Sequence, residues 1–125
     1  MVYSAPMAGR DPLKQRLAKQ RYYEANKAKV KARAREHTDT MRRRVRTWLL
    51  EYLQTHHCVD CGESNPVVLE FDHHTPTDKH FNIGEATSKG ISLKRVQAEV
   101  AKCEVRCANC HRRKTYKDAG RTHRD

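Results

Sequence analysis

"CVDC" at residues 58–61 and "CANC" at residues 107–110 repeat one Cys-x-x-Cys spacing at two distant places in the chain. This spacing allows both sulfurs of one turn to reach the same metal ion at about 2.3 Å, and two such turns supply four thiolates, the usual ligands of structural zinc. Four thiolates leave no coordination position open, so the site is expected to stabilise the fold and not to catalyse a reaction. The predicted zinc ligands are Cys58, Cys61, Cys107 and Cys110.

The separation of the two turns sets the limits of a predicted domain. Between them lie 45 residues, far more than in a short zinc ribbon, so the site would join the two ends of a domain at residues 58–118. The alternatives are coincidental cysteines or a separate redox pair in each turn. A fifth cysteine, Cys103, is interpreted as a small apolar residue at the start of a strand.

The charge distribution indicates a polyanionic partner. The chain has 125 residues, a net charge of +11 and a pI of about 9.7. Residues 1–57 hold 14 Lys/Arg against 5 Asp/Glu, whereas residues 58–125 hold 12 against 10. Such an asymmetry most often indicates nucleic acid, and the alternative is a helix that is merely well solvated.

The hydropathy pattern argues against membrane association and export. No apolar run approaches the length of a membrane span, and "MVYSAPMAGR" at residues 1–10 lacks the apolar core of a secretory signal. We therefore expect no membrane partner and a cytoplasmic location. In that compartment the cysteines are expected to be thiols or metal ligands and not disulfides.

The N-terminal part predicts two basic helices. Asp11 and Pro12 form a plausible helix start, and the arm at residues 1–37 has few apolar positions, so it is expected to be exposed, frayed, or ordered only on DNA. "HTDT" at residues 37–40 is expected to restart the chain, with Thr38 or Asp39 as a new helix cap.

The second predicted helix, at residues 38–57, has an apolar stripe at helical spacing that should dock on the following domain. The stripe consists of Met41, Val45, Trp48, Leu49, Tyr52 and Leu53. The opposite, solvent-facing side carries the arginines predicted to bind DNA, namely Arg42, Arg43, Arg44 and Arg46.

The remaining segments predict an α+β fold. "VVLEF" at residues 67–71 and "CEVR" at residues 103–106 are typical of short strands, and "SLKRVQAEVAK" at residues 92–102 is typical of a helix. A basic helix should follow the second Cys-x-x-Cys turn and end at Gly120. Residues 119–125 are expected to form a loose tail.

A candidate site lies where "LEFDHH" at residues 69–74 ends a strand-like run in one carboxylate and two imidazoles. That combination indicates a metal site, a proton relay, or plain solvent exposure. Consecutive helical side chains diverge by about 100°, so His111 can face away from a zinc bound by Cys110. If the strand packs against that helix, Asp72 could meet His111 and form a weak, exchangeable site for a divalent metal that handles phosphate.

"LEFDHHTP" at residues 69–76, followed by "KCEVRCANCHRRKT" at residues 102–115, resembles the HNH endonucleases with their ββα-metal fold. In particular it resembles the small zinc-clasped HNH proteins of bacteriophages and prophages, over about residues 58–118. The resemblance implies a ββα-metal core clasped by the four-cysteine zinc site and preceded by the basic helices. It also implies a bacterial or phage-infected cell, and proximity to phage DNA-packaging machinery.

The resemblance assigns roles residue by residue. Asp72 and His111 would hold the catalytic divalent ion, either Mg²⁺, Mn²⁺ or another transition metal. His73 would be the general base that takes a proton from the attacking water, and cleavage would leave 3′-hydroxyl and 5′-phosphate ends. A neutral imidazole titrates near working pH, and one divalent ion can stabilise both the phosphate charge and the leaving group.

Two departures from the family pattern concern the base and its orientation. In a continuing strand, His74 would share a face with Asp72 and His73 would point away, so the strand must end or bulge for His73 to join Asp72. The family's Asp-His pair selects His73, with His74 as the alternative. Lys102 occupies the usual position of the middle Asn, and the nearest asparagine, Asn109, either orients the loop that carries His73 or shapes the turn.

Three functions fit these features. The first is a metal-dependent endonuclease that nicks or cuts duplex DNA with modest sequence preference. The second is a zinc-stabilised DNA-binding protein without catalysis, and the third is an RNA-binding or ribosome-associated zinc protein, which leaves Asp72, His73 and His111 unexplained. The side chains expected to touch the DNA backbone near the site are Lys79, Arg112, Arg113 and Lys114.

Overall fold

The fold is α+β, as predicted. The structure, a computed structural model, describes residue 9 and residues 11–120; the first residues of the basic arm and most of the predicted tail lie outside this range. The main elements are α1 (Pro12–Thr55), β1 (Leu69–His73), α2 (Leu93–Val100), β2 (Cys103–Cys107) and α3 (Ala108–Asp118), with single 3-10 turns at Pro66–Val68, Pro76–Asp78 and Ile83–Glu85. The chain divides into two units, Met1–His37 and Thr38–Asp125.

The first unit contains the start of α1, which forms as its sequence predicts. The side chain of Asp11 accepts a hydrogen bond of 3.0 Å from the backbone N–H of Leu13, and Pro12 occupies the first helical position. Further along, Asn26 departs from helical geometry, with φ −120° and ψ 17°. Its side-chain amide donates to the carbonyl oxygen of Tyr22 at 2.9 Å, a local bond that competes with the helix backbone.

The predicted helix restart at Thr38 or Asp39 is wrong, because α1 continues without a cap through both residues to Thr55. Neither glycine nor proline lies near this point, and the flanking residues are mostly good helix formers. Two residues that favour caps therefore sit in the middle of the helix. The division between the two units nonetheless falls between His37 and Thr38.

The second unit is built around a small apolar core. All of the predicted stripe on α1 except Met41 packs on the two apolar clusters: Val45 is buried, and Trp48, Leu49 and Tyr52 are half-buried against the first. Leu53 packs against a second cluster that contains three of the four cysteines. The buried members of the first cluster are Val45, Ile83, Ala86, Val96 and Val100, and those of the second are Cys58, Leu69, Val105, Cys107 and Cys110.

The two strands form an antiparallel pair, which α3 and α2 both contact. Leu69 pairs with Cys107, Phe71 with Val105, and His73 with Cys103. Side chains alternate between the two faces of a strand, so Leu69, Phe71 and His73 of β1 lie on one face while Glu70 and Asp72 lie on the other. This alternation decides which functional side chains can meet.

None of the helices in the described part of the chain combines the length and apolar character needed to cross a membrane.

We predict that Val45→Ala destabilises the second unit by about 2 kcal/mol, because it removes buried methyl groups from a small core. Leu50 on the same helix is 50% exposed, whereas Val45 is 1% exposed. Leu50→Ala is therefore the matched control and should change the free energy of unfolding by no more than about 0.5 kcal/mol. Denaturant unfolding of the metal-loaded proteins measures both, and equal destabilisation by the two variants would contradict this packing.

Candidate functional site

The four predicted ligand cysteines lie together. Their sulfur atoms are all within 4.8 Å of one another, and the sulfurs of Cys61 and Cys107 are 3.7 Å apart. A tetrahedral ion with bonds of about 2.3 Å would separate two sulfurs by roughly 3.8 Å. The cluster therefore could hold a metal such as zinc. Cys103 lies outside it, with its thiol donating to the backbone oxygen of Glu99 at 3.4 Å.

Local backbone geometry explains how each Cys-x-x-Cys turn presents its sulfurs. In the first turn, the N–H of Gly62 donates to the oxygen of Cys58 at 2.9 Å, and Gly62 has φ +77°, a conformation that suits glycine. In the second, Cys107 ends β2 and caps α3, and its sulfur accepts the N–H of Cys110 at 3.4 Å. The strand-to-helix junction thus fixes two ligands directly.

The pKa values of the cysteines reflect the short distances between their four sulfur atoms. Burial raises the pKa of Cys58, but hydrogen bonds from the backbone N–H groups of Cys107, Cys61 and Asp60 outweigh it and lower the pKa to about 6. Contact with the Cys107 sulfur, together with burial, raises the pKa of Cys110 to about 12. Thiolates this close repel one another, so all four ionise together only when a cation binds among them.

Asp72 and His111 meet across the contact between β1 and α3. Oδ1 of Asp72 and Nε2 of His111 are 3.5 Å apart. The other ring nitrogen of His111, Nδ1, is 2.7 Å from Oε2 of Glu70; a carboxylate accepts, so Nδ1 donates. Glu70 lies two residues before Asp72 and therefore on the same face of β1, a spacing that could have indicated its place beside His111.

Asp72 is held ionised by two cations. Burial raises the pKa of its carboxyl, but hydrogen bonds from Lys114 and Arg106 and the nearby His111 lower it below its usual range. Oδ2 accepts from Nη1 of Arg106 at 2.7 Å and from Nζ of Lys114 at 3.0 Å, which leaves Oδ1 toward His111. Lys114, predicted to touch DNA, is thus engaged within the protein.

His73 does not join Asp72. Strand β1 extends through His73, and the N–H of His74 continues the pairing by donating to the oxygen of Lys102 at 3.0 Å. The strand neither ends nor bulges before His73, so the His73 side chain lies on the opposite face from Asp72. It is 8% exposed, and its Nε2 lies 2.8 Å from Oε1 of Glu99 on α2. His74 is 51% exposed, with Nδ1 3.4 Å from Glu104.

A cleft along the free edge of β1 nevertheless brings His73 and His111 together. It has a volume of about 460 Å³ and receives one histidine from each face of the strand. In the part of the chain that the structure describes, β2 is the only strand that pairs with β1, so the opposite edge of β1 is free. The polar residues that line the cleft are Glu70, His73, Lys79, Asn82, Thr87 and His111.

The remaining predicted residues lie around this site or on α1. Asn109 and Arg112 are exposed and line a wider pocket of about 760 Å³ together with Glu70 and His111. Within the described residues, no hydrogen bond joins the Asn109 side chain to the loop that carries His73. Arg113 is exposed, with Nη1 3.9 Å from the sulfur of Cys110.

The four arginines of α1 that were predicted to bind DNA differ in exposure. Arg42 is half-buried and donates to the backbone oxygen of Ser88 at 3.3 Å, so it is less available to DNA than predicted. Arg43, Arg44 and Arg46 are exposed. Arg42, Arg43 and Arg46 line one shallow pocket with Asp39.

Neither a protein-family model, nor a curated protein, nor a solved structure matches the chain. The fold and site define an α+β protein with a four-cysteine cluster fit for a metal and a histidine-lined cleft beside an Asp-His pair.

We predict that Cys110→Ser abolishes stoichiometric metal binding and lowers the thermal stability sharply, because a four-thiolate site then has three thiolates and a hydroxyl. Cys103→Ser is the matched control, since Cys103 lies outside the cluster, and it should keep one equivalent of bound metal. Elemental analysis of the purified proteins and circular dichroism during heating measure the two effects. Loss of metal from both variants, or from neither, would contradict the assigned ligands.

Proposed function

We propose that this chain is a metal-dependent DNA endonuclease of the HNH type. It hydrolyses phosphodiester bonds in duplex DNA and leaves 3′-hydroxyl and 5′-phosphate ends. The observation that carries the proposal is the 3.5 Å approach of Asp72 Oδ1 to His111 Nε2, beside a cleft that His111 shares with His73. A carboxylate and two imidazoles around one open edge are the groups that metal-assisted phosphate hydrolysis needs.

The ion in the cysteine cluster is zinc in this proposal, and its role is structural. Four thiolate donors in a tetrahedral arrangement suit zinc, and they leave no site for water or substrate. Arg113, near Cys110, offsets part of the negative charge of the filled site. Because the second apolar cluster consists largely of these cysteines, the ion and the core stabilise each other.

A second divalent ion would be held by Asp72 and His111. The fit rests on the donor set: one carboxylate oxygen and one imidazole nitrogen face each other, and Glu70 orients the ring through its other nitrogen. When bound there, a divalent ion supplies charge stabilisation for the phosphate and for the leaving oxygen. Two protein ligands make a weak and exchangeable site.

His73 is the proposed general base. Its imidazole takes a proton from a water molecule in the cleft while the water oxygen forms a bond to phosphorus. The bond from phosphorus to the 3′ oxygen breaks, and the departing oxygen takes a proton from solvent. His73 then returns its proton to solvent, so the net reaction consumes one water for each phosphodiester cut.

The DNA itself would be bound mainly by exposed basic side chains. Arg112 lines the wider pocket next to His111, and Lys79 lines the cleft. On α1, the exposed Arg43, Arg44 and Arg46 provide backbone contacts of the kind that position a protein without reading sequence.

A non-catalytic, zinc-stabilised DNA-binding protein is the second candidate, and one observation favours it. The charge of Asp72 is already balanced by Arg106 and Lys114, so its carboxylate has a role without any divalent ion. Such a protein shares the zinc and the DNA contacts of the first candidate but forms no cleavage product with any divalent ion.

We predict that the metal-loaded protein converts supercoiled plasmid to relaxed or linear forms when supplied with Mg²⁺, Mn²⁺ or another divalent transition metal. His73→Ala should reduce the rate by at least about 100-fold, since general-base catalysis contributes that much, with folding and DNA binding retained. His57→Ala is the matched control, because His57 is exposed and outside the cleft.

The same assay with His74→Ala separates the two candidate bases. Its cleavage rate should stay close to that of the unchanged protein, since His74 points to Glu104 and not into the cleft. Full cutting by His73→Ala would refute the assigned base. A folded, DNA-binding, metal-loaded protein that never cuts would favour the second candidate.

We predict that Arg43→Gln and Arg46→Gln each weaken DNA binding uniformly across sequences. Each should reduce the slope of log affinity against log salt concentration by about 1, the effect of one lost phosphate contact. Lys89→Gln is the control, because Nζ of Lys89 is already 2.7 Å from Oε2 of Glu85. Fluorescence anisotropy over a salt series measures the slopes, and identical slopes for all three variants would exclude this surface.

A further inference from the structure

Glu99 is the one acidic side chain of α2, and it is buried at 2% exposure. It is not isolated, because three groups donate hydrogen bonds to it. Oε1 lies 2.8 Å from Nε2 of His73 and 2.9 Å from the backbone N–H of His80, and Oε2 accepts from Nζ of Lys102 at 3.1 Å. A carboxylate with this set of donors is satisfied in its charged form.

The ionisation of Glu99 follows from these contacts. Burial raises the pKa of its carboxyl, but the N–H of His80, the ring of His73 and the ammonium of Lys102 outweigh burial and lower the pKa to about 2. An ionised carboxylate only accepts hydrogen bonds. The His73 nitrogen that faces it, Nε2, must therefore carry a proton.

The protonated nitrogen decides which atom of His73 is free. A neutral imidazole has one N–H and one lone pair, so a proton on Nε2 leaves the lone pair on Nδ1. His73 also lines the cleft along the free edge of β1. One ring nitrogen, Nε2, is thus hydrogen-bonded to the buried Glu99. The other, Nδ1, is available as a proton acceptor.

We propose that Glu99 is a positioning residue for the general base: it fixes His73 in the tautomer with Nε2 protonated and Nδ1 free, and it stabilises the ring once Nδ1 has taken a proton. This inference rests on the proposed endonuclease function. It assigns to a carboxylate the orienting role that was one of the two interpretations of Asn109, and it gives the buried charge of Glu99 a function.

The tautomer of His73 is the first test, and it needs no activity and no substitution. We expect ¹⁵N–¹H correlation spectra of the zinc-loaded protein at about pH 8, where histidines are ordinarily neutral, to show His73 protonated on Nε2. Exposed His57 should show both tautomers in exchange. In Glu99→Gln the amide can accept or donate, so the second tautomer of His73 should become populated. A proton on Nδ1 in the unchanged protein would overturn the proposal.

Kinetics of plasmid cleavage are the second test. Glu99→Gln should lower kcat by about 100-fold and leave KM for DNA within about 3-fold, because it acts on proton transfer and not on binding. Lys102→Gln is the matched control: it removes another partner of the same carboxylate and keeps the contact with His73, so kcat should stay within about 3-fold.

The outcomes separate this inference from the proposed function. If the unchanged protein cleaves DNA and Glu99→Gln cleaves equally well, the positioning role is wrong and the endonuclease stands. An equal loss of kcat in Glu99→Gln and Lys102→Gln would make Glu99 a structural carboxylate. If the unchanged protein shows the expected tautomer but never cuts DNA, the proposed endonuclease function is wrong. Glu99 then has no catalytic role, although its contact with His73 remains.

Discussion

The gathering of four thiols at one point is the constraint on which the C-terminal unit depends. Cys58 and Cys61 precede β1, while Cys107 and Cys110 close β2 and open α3, so a single ion at this point would join the segment before β1 to the junction of β2 with α3. The apolar clusters are small, and one of them is largely cysteine. Without a cation, the same sulfurs repel one another once they ionise. If a metal binds there, as we propose, metal binding and the burial of these cysteines would occur together and would hold the two Cys-x-x-Cys turns in place.

In this geometry the proposed metal ligand and the proposed general base lie on opposite faces of one edge strand, β1. Asp72 faces α3, where it meets His111, and His73 faces α2, where it meets Glu99. Adjacent strand residues diverge, so a ligand and a base that are neighbours in sequence can serve one substrate only from opposite sides of the strand. The cleft lies along the free edge of β1, which is where the two sides come together. Among the described residues no third strand pairs with β1, and in the proposed mechanism the phosphate would approach this free edge.

Features set by local spacing could be predicted from the sequence. The Cys-x-x-Cys turns, the start of α1 at Asp11 and the stripe through Val45 all depend on neighbours within a few residues. The contact between Asp72 and His111 could also be predicted. It follows from the angle between consecutive side chains on a helix, together with the packing of one strand against that helix. The continuity of α1 past Thr38 could not be predicted, since a residue that favours helix caps ends a helix only when the backbone there also leaves the helical conformation. The role of Glu99 was hidden for another reason: it comes from a contact between segments 26 residues apart, and only its place one turn after Val96 hinted at burial.

The cations around Asp72 set the strength expected of the proposed catalytic ion. Arg106 and Lys114 already share Oδ2, so an ion at Oδ1 approaches a carboxylate whose charge is partly neutralised, and its affinity falls accordingly. A phosphate adds negative charge at the same place, and it would strengthen the attraction for the ion when the substrate binds. Metal and DNA then favour each other's binding by the same free energy, as linkage requires. If the proposed site binds an ion, these neighbouring cations would make its occupancy depend on the presence of DNA.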